Sequence, residues 1–216
     1  MKVGTDSVIL GAWAELADCR NILDIGTGTG ILALMAAQKS PEATVTAVEI
    51  DGEAAAQAAQ NAACSPWSHR ISVICQDIRE YLPGCRYDAI LCNPPYFRKS
   101  LHSPDSGRNT ARHDDTLDYA SLASCASVLL SDGGAFHIIL PTDGFDAFCG
   151  AAASCGMQLT AITALISREG KPPFRKLGTF RKHYSDGRND SLTISDRQGN
   201  PTEEYIRLVK DFYIRI

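Results

Sequence analysis

Asn93-Pro94-Pro95-Tyr96 is the segment of this 216-residue chain with the most specific chemistry in it. Two adjacent prolines are stiff and do not continue a strand. Their rigidity fixes the Asn93 side chain and the Pro94 carbonyl in space, and each offers an oxygen acceptor. An exocyclic amine such as adenine N6 is conjugated with its ring and barely nucleophilic. Two acceptors aimed at its N–H groups favour a pyramidal nitrogen and stabilise positive charge as a carbon electrophile arrives. No strong base is needed beforehand, because the proton becomes far more acidic after the bond forms. Tyr96 adds a flat face on which a base can stack, provided the base is unpaired or extruded. Asn93, Pro94 and Tyr96 are therefore the candidate catalytic residues. Taken alone, the same four residues also read as a stiff turn.

A second constellation lies upstream. Asp24-Ile25-Gly26-Thr27-Gly28-Thr29-Gly30 follows a short apolar run and opens a helical pattern. Glycines there allow close approach of a ligand to the backbone. A nucleotide fingerprint can be threaded through Gly28, Gly30 and Ala33, with Glu49 about the right distance on. Asp24 argues against a diphosphate, which it would repel, and for a cationic ligand. S-adenosylmethionine (SAM) carries an ammonium and a sulfonium and no phosphate. Glu49, ahead of Ile50, can accept from both hydroxyls of a ribose, which suits SAM and NAD equally. Asp77, ahead of Ile78, reads either as an acceptor for an adenine amine or as a helix N-cap. Asp24, Gly26, Thr27, Gly28, Gly30, Glu49, Ile50, Asp77, Ile78 and Asn93 form the expected cofactor site.

These residues need a frame. Strand patterns run over 21–25, 43–50, 70–75, 87–92, 134–140 and 158–166. Helical patterns run over 31–39, 52–64, 117–130, 142–155 and 203–212. Alternation of this kind implies an α/β fold, a doubly wound and mostly parallel sheet with helices on both faces. Two further strand candidates, 177–184 and 191–194, have no helix between them, which predicts an antiparallel pair at one edge. No repeat or linker interrupts the pattern, so a single domain is expected over 1–216. The segments 93–116 and 167–176 lack regular pattern and read as long functional loops. Ligands in such sheets sit at the carboxyl ends of the strands.

Net charge is −4, unfavourable for a nucleic-acid binder, but the charges are unevenly placed. Residues 97–113 hold Arg98, Lys99, Arg108 and Arg112 against Asp105 alone. Residues 168–188 hold seven Lys/Arg, among them Lys171, Arg175 and Lys176, against Glu169 and Asp186. Two basic segments on an acidic body can attract phosphates locally, although basic solvated loops would look the same. The eight cysteines include no Cys-x-x-Cys pair and read as small buried thiols. His102, His113, His137 and His183 show no metal-ligand spacing, so no metal is expected. The start shows no signal peptide and no apolar run is long enough to span a membrane, which makes the cytoplasm the default location.

Taken together, Asp24–Gly30, Glu49 and Asn93–Tyr96 resemble the class I SAM-dependent methyltransferases with an Asn-Pro-Pro-Tyr motif. The likeness extends further. Lys2-Val3-Gly4-Thr5-Asp6, Gly170-Lys171-Pro172-Pro173, and Glu204-Tyr205 through Asp211-Phe212-Tyr213 are similar to the bacterial tRNA1(Val) (adenine(37)-N6)-methyltransferase family. The resemblance implies a seven-stranded sheet with one antiparallel strand, SAM as donor, and an anticodon-loop adenine in tRNA as acceptor. It also places Lys2, Thr5 and Asp6 at the border of the SAM pocket. It gives both basic segments a task, since RNA loops are read by stacking and phosphate contacts. Family members usually carry a further segment ahead of Lys2–Asp6, so a truncated start or a shorter member is expected here. The chain is expected to act as a monomer.

Rival readings have their own signatures. Release-factor glutamine methyltransferases share the tetrapeptide but normally add a helical N-terminal domain, which the 23 residues before the glycine loop do not supply. A guanine or ribosomal RNA acceptor fits the same residues. A nicotinamide-dependent oxidoreductase is disfavoured by Asp24 and by the lack of an obvious proton-relay residue. A non-catalytic SAM-fold binding protein would be favoured by loss of Asn93 or Gly28, and both are present.

Overall fold

The computed structural model describes residues 4–94, 117–183 and 187–213. The parallel half of the sheet is built from β1 (Asn21–Ile25), β2 (Thr44–Glu49), β3 (Ile71–Cys75) and β4 (Tyr87–Cys92), with β5 (Leu130–Pro141) beside β4. The far half comes from β6 (Gln158–Ile166), β7 (Pro173–Arg181) and β8 (Asn189–Thr193). The order is β3-β2-β1-β4-β5-β7-β6-β8. The α-helices are α1 (Thr5–Trp13), α2 (Ile31–Lys39), α3 (Gly52–Ala63), α4 (Tyr119–Leu129), α5 (Thr142–Ser154) and α6 (Glu203–Val209), with short 3-10 turns at Ser68–Arg70 and Ile78–Glu80.

Each strand of the parallel half sends alternate residues to opposite faces, the period-2 consequence of an extended backbone. Ile22, Val45, Ala89 and Leu91 join α1, α2 and α6 in one core. Leu23, Ile25, Val48, Ile90 and Cys92 join α4 and α5 in the other. Both faces are covered, which is why these strands read as near-continuous apolar runs. Side chains fix the starts of α3 and α4: Asp51 accepts from Ala54 N at 2.8 Å and Asp118 from Ser121 N at 2.7 Å. Each satisfies a backbone donor that the helix itself leaves without a partner.

The far half departs from expectation in three ways. Among the described residues the sheet has eight strands rather than seven. The two late strands do not pair with each other: β7 lies antiparallel between β5 and β6, and β8 runs parallel to β6 at the edge. The expected loop 167–176 is a loop only to residue 172, and β7 begins at Pro173. Pro173 has no N–H to give, yet as the first residue of the strand it costs the ladder little. The cysteines also differ, since Cys92 is buried but Cys64, Cys75 and Cys85 are exposed. Thr5–Trp13, not read as an element from sequence, is helix α1.

Candidate active site

The carboxyl ends of β3, β2, β1 and β4 lie side by side. Glu49 is in register with Cys75, and Ile25 with both Val48 and Cys92. Between β1 and β4 the strand order reverses, so the crevice at that switch point is the place where such sheets take ligands. The glycine loop leaves β1 on one side of it, and Asn93 and Pro94 leave β4 on the other.

Gly26, Gly28 and Gly30 have φ of 69°, 57° and 86°, a region that strains any residue with a Cβ. A Cβ on Gly26 would meet nothing within 4 Å, so the loop faces open space there. The loop is tied to β2 by Gly26 N and Thr27 N, which donate to Val48 O at 2.9 and 3.2 Å. Glu49 tightens the same corner: its Oε2 accepts from Gly28 N at 2.8 Å and its Oε1 from Asp51 N at 3.0 Å. Those bonds orient the carboxylate and leave each oxygen a second lone pair for a hydroxyl. Ile50 beside it is a large apolar side chain left 57% exposed, a surface that a flat ring can cover.

Asp24 is fully buried. Thr27 Oγ1 donates to its Oδ2 at 2.5 Å, while its Oδ1 meets no hydrogen-bond donor at bonding geometry among the described residues. Burial pushes its carboxyl up to about 7, with the Thr27 hydrogen bond opposing. A buried carboxylate oxygen without a partner is costly, and a cationic group in the crevice would offset that cost. The donor and acceptor set therefore fits SAM: a buried acid beside the loop, a carboxylate for ribose and an exposed apolar lip.

Asp77 takes the capping geometry. It accepts from Arg79 N at 2.9 Å and forms an ion pair with the Arg79 side chain, which holds its carboxyl below the usual range. Ile78 is buried. Asn93 is half-buried and its Nδ2 donates to Ser7 Oγ at 2.8 Å. Ser7 was not singled out from sequence, and the only hint was its place directly after the Thr5-Asp6 pair. Thr5 is exposed at the start of α1. Asp6, expected at the pocket border, instead accepts from Arg175 Nε at 3.0 Å.

That contact revises the reading of the second basic segment. Arg175 and Lys176 are strand residues rather than loop residues. Both have acidic partners, Lys176 meeting Asp146 Oδ1 at 3.2 Å. Lys171 stays exposed in the turn ahead of β7. Lys2, Tyr96, Arg98, Lys99, Arg108 and Arg112 lie outside the described residues, as do His102 and His113. His137 is buried, with Nδ1 3.0 Å from Thr179 Oγ1, and burial holds it neutral by lowering its pKa to about 3.

Comparison with known proteins bears directly on this arrangement. A family model described as "Methyltransferase small domain" matches residues 5–112. The tRNA1(Val) (adenine(37)-N6)-methyltransferase of Bacteroides fragilis (strain YCH46) is 46% identical, over 100% of this chain and 92% of that protein. The chain belongs to that methyltransferase family. A relative of the same name from Klebsiella pneumoniae subsp. pneumoniae is 42% identical over 99% of this chain and 89% of its own. Among solved structures, a predicted O-methyltransferase, Atu636 from Agrobacterium tumefaciens, superposes with a TM-score of 0.73 at 21% identity, covering 95% of this chain and 96% of that one. At that identity the likeness speaks for the fold alone. The methyltransferase thus has Glu49, Ile50 and Asn93 at the crevice of its fold, with Asp24 buried at the end of β1 beside the glycine loop. Among its described residues no helix is long and apolar enough to cross a membrane. No group of three or more His, Cys, Asp or Glu among them could hold a metal ion.

Proposed function

We propose that this methyltransferase uses SAM to methylate N6 of an adenine in tRNA, adenine 37 beside the anticodon of a valine tRNA, in the cytoplasm and as a monomer. The observation that carries the reading is Asn93 at the switch point, directly across the crevice from a loop suited to a cationic ligand. Full-length identity to relatives named for that reaction supports the choice of acceptor.

When bound, SAM supplies an electrophilic methyl carbon on a positively charged sulfur. The chain's own residues do the rest. Asp24 and the Gly26–Gly30 loop hold the cationic end, and Glu49 accepts from the ribose. Ile50 and Ile78 give the adenine ring of the cofactor an apolar seat. Asn93 Oδ1 and the Pro94 carbonyl accept the N–H groups of the acceptor amine, drawing its lone pair out of conjugation with the ring. The same two oxygens stabilise the positive charge that develops on nitrogen, and the amine then loses a proton to solvent. Tyr96 stacks on the extruded base. Arg98, Lys99, Arg108, Arg112 and Lys171 contact phosphates and hold the loop without reading sequence.

Mass spectrometry of nucleosides tests this proposal, using undermodified tRNA incubated with the protein and SAM. N6-methyladenosine mapping to position 37 of the valine tRNA is expected. Methylation of guanine, of ribosomal RNA or of a release-factor glutamine, with none on tRNA adenine, would replace the reading.

A further inference from the structure

Asn93 is gripped from a part of the chain 86 residues away. Its Nδ2 donates to Ser7 Oγ at 2.8 Å. An asparagine amide presents chemically opposite groups on its two arms. Only the carbonyl arm can accept N–H from an amine, and the NH₂ arm would repel it. A hydroxyl that takes up the NH₂ arm therefore leaves the useful arm for the acceptor.

Ser7 is itself held in place. It sits in the first turn of α1, where its N–H donates to Gly4 O at 3.1 Å. Its neighbour Asp6 is locked to Arg175 on β7 by a 3.0 Å ion pair whose side chains are only 14% and 21% exposed. A contact so sheltered from water holds its geometry better than a surface pair does. The start of α1 is thus pinned to β7, two strands from β4 in the sheet, and reaches the end of β4 through Ser7. The other side of Asn93 needs no such strap, because β4 is paired with β1 and β5 up to Cys92.

We infer that Ser7 is a positioning residue for methyl transfer: its hydroxyl binds the amide nitrogen of Asn93 and turns the amide oxygen to the acceptor amine, with Asp6–Arg175 setting where Ser7 stands. The inference rests on the proposed function for its catalytic meaning, while the contact itself is measurable without it.

Two measurements decide it. Under single-turnover conditions with undermodified tRNA, Ser7→Ala should slow transfer about 10- to 100-fold, as expected for a small misplacement. SAM affinity and KM for tRNA should stay within about twofold of wild type, since the Asn93 oxygen acts chiefly on the charge that develops during transfer. Ser7→Thr, which keeps the hydroxyl, should restore most of the rate. Ser7→Cys, of similar volume but a weaker acceptor, should fall between and serves if the alanine variant folds poorly. Unchanged transfer in Ser7→Ala, or no rescue by threonine, would overturn the inference. Separately, the side-chain amide protons of Asn93 in ¹⁵N–¹H spectra should shift and exchange faster in Ser7→Ala. Identical amide signals in both proteins would overturn the contact even if tRNA were never methylated. If wild type left tRNA unmodified while the signals shifted, the proposed function and with it the catalytic positioning would be overturned, and only the Ser7–Asn93 contact would stand.

Discussion

Asp24 carries an electrostatic cost that the folded chain accepts at its site. Its carboxyl ionises near 7 in the folded protein against 3.8 for the ordinary group. Between those values the folded state holds a proton that the unfolded state has released. The stability this group contributes is fully present below about pH 4 and is lost as pH rises through 7. Above that, the fold contains a buried charge whose Oδ1 meets no donor at bonding geometry among the described residues. Asp24→Asn should therefore melt higher than wild type at pH 8 without ligand, with the gap narrowing as pH falls towards 4. It should also bind SAM more weakly. Thermal melts across pH, paired with calorimetric titration of SAM, check both halves. A variant that melts lower at pH 8, or keeps full affinity, contradicts the electrostatic role. The two acids, the glycines and Asn93 were readable from sequence because their chemistry is local to short motifs. Ser7 was not, because a hydroxyl becomes informative only when folding brings it to Asn93.

Among the elements, the strands of the parallel half were legible because both faces are buried and their apolar runs are short and bounded. Helix α1 was not. Val8 through Trp13 are all buried, so no polar face exists to give the 3.6-residue period that marks a surface helix. What stabilises it comes from outside the segment. Lys39 Nζ reaches back from the end of α2 to donate to the carbonyls of Gly11, Ala12 and Ala14. These include carbonyls that the helix end cannot satisfy itself. Lys39→Met should lower stability by about 1–3 kcal/mol, the cost of leaving such acceptors without a donor, measured by urea unfolding. A loss near zero would mean water replaces the ammonium freely. The order of β7, β6 and β8 was hidden for a different reason. Pairing between distant strands leaves no local trace, and Pro172-Pro173 reads as a break although β7 starts there. Gly134 shows the same limit: the strand pattern opens on it, yet only the fold shows that a Cβ there would stand 2.9 Å from Tyr87 O, so that glycine lets β5 approach β4.

For the whole molecule, charge placement decides how RNA is held. The chain is acidic overall, and binding must come from local basic segments against that background. Lys171 is exposed, whereas Arg175 is committed to Asp6 and Lys176 to Asp146. These residues should separate experimentally. Lys171→Ala should reduce the slope of log affinity for tRNA against log salt by about 0.7, the value for one phosphate contact on a single strand. Arg175→Ala should leave that slope unchanged and instead destabilise the fold by about 1.5–3 kcal/mol, as for a lost hydrogen bond between charged groups. Filter binding over a salt series and denaturant melts read the two effects. A slope change in Arg175→Ala without a stability change would return that residue to the RNA surface.

The central claim is that Asn93, at the reversal of strand order between β1 and β4, accepts the N–H of the amine that receives the methyl group. The most direct measurement is the single-turnover rate of methyl transfer from SAM to undermodified tRNA by Asn93→Ala, with SAM affinity determined on the same preparation. The account predicts a rate at least about 100-fold below wild type, the usual cost of one preorganised group, with SAM affinity nearly unchanged. Transfer at the wild-type rate would contradict it.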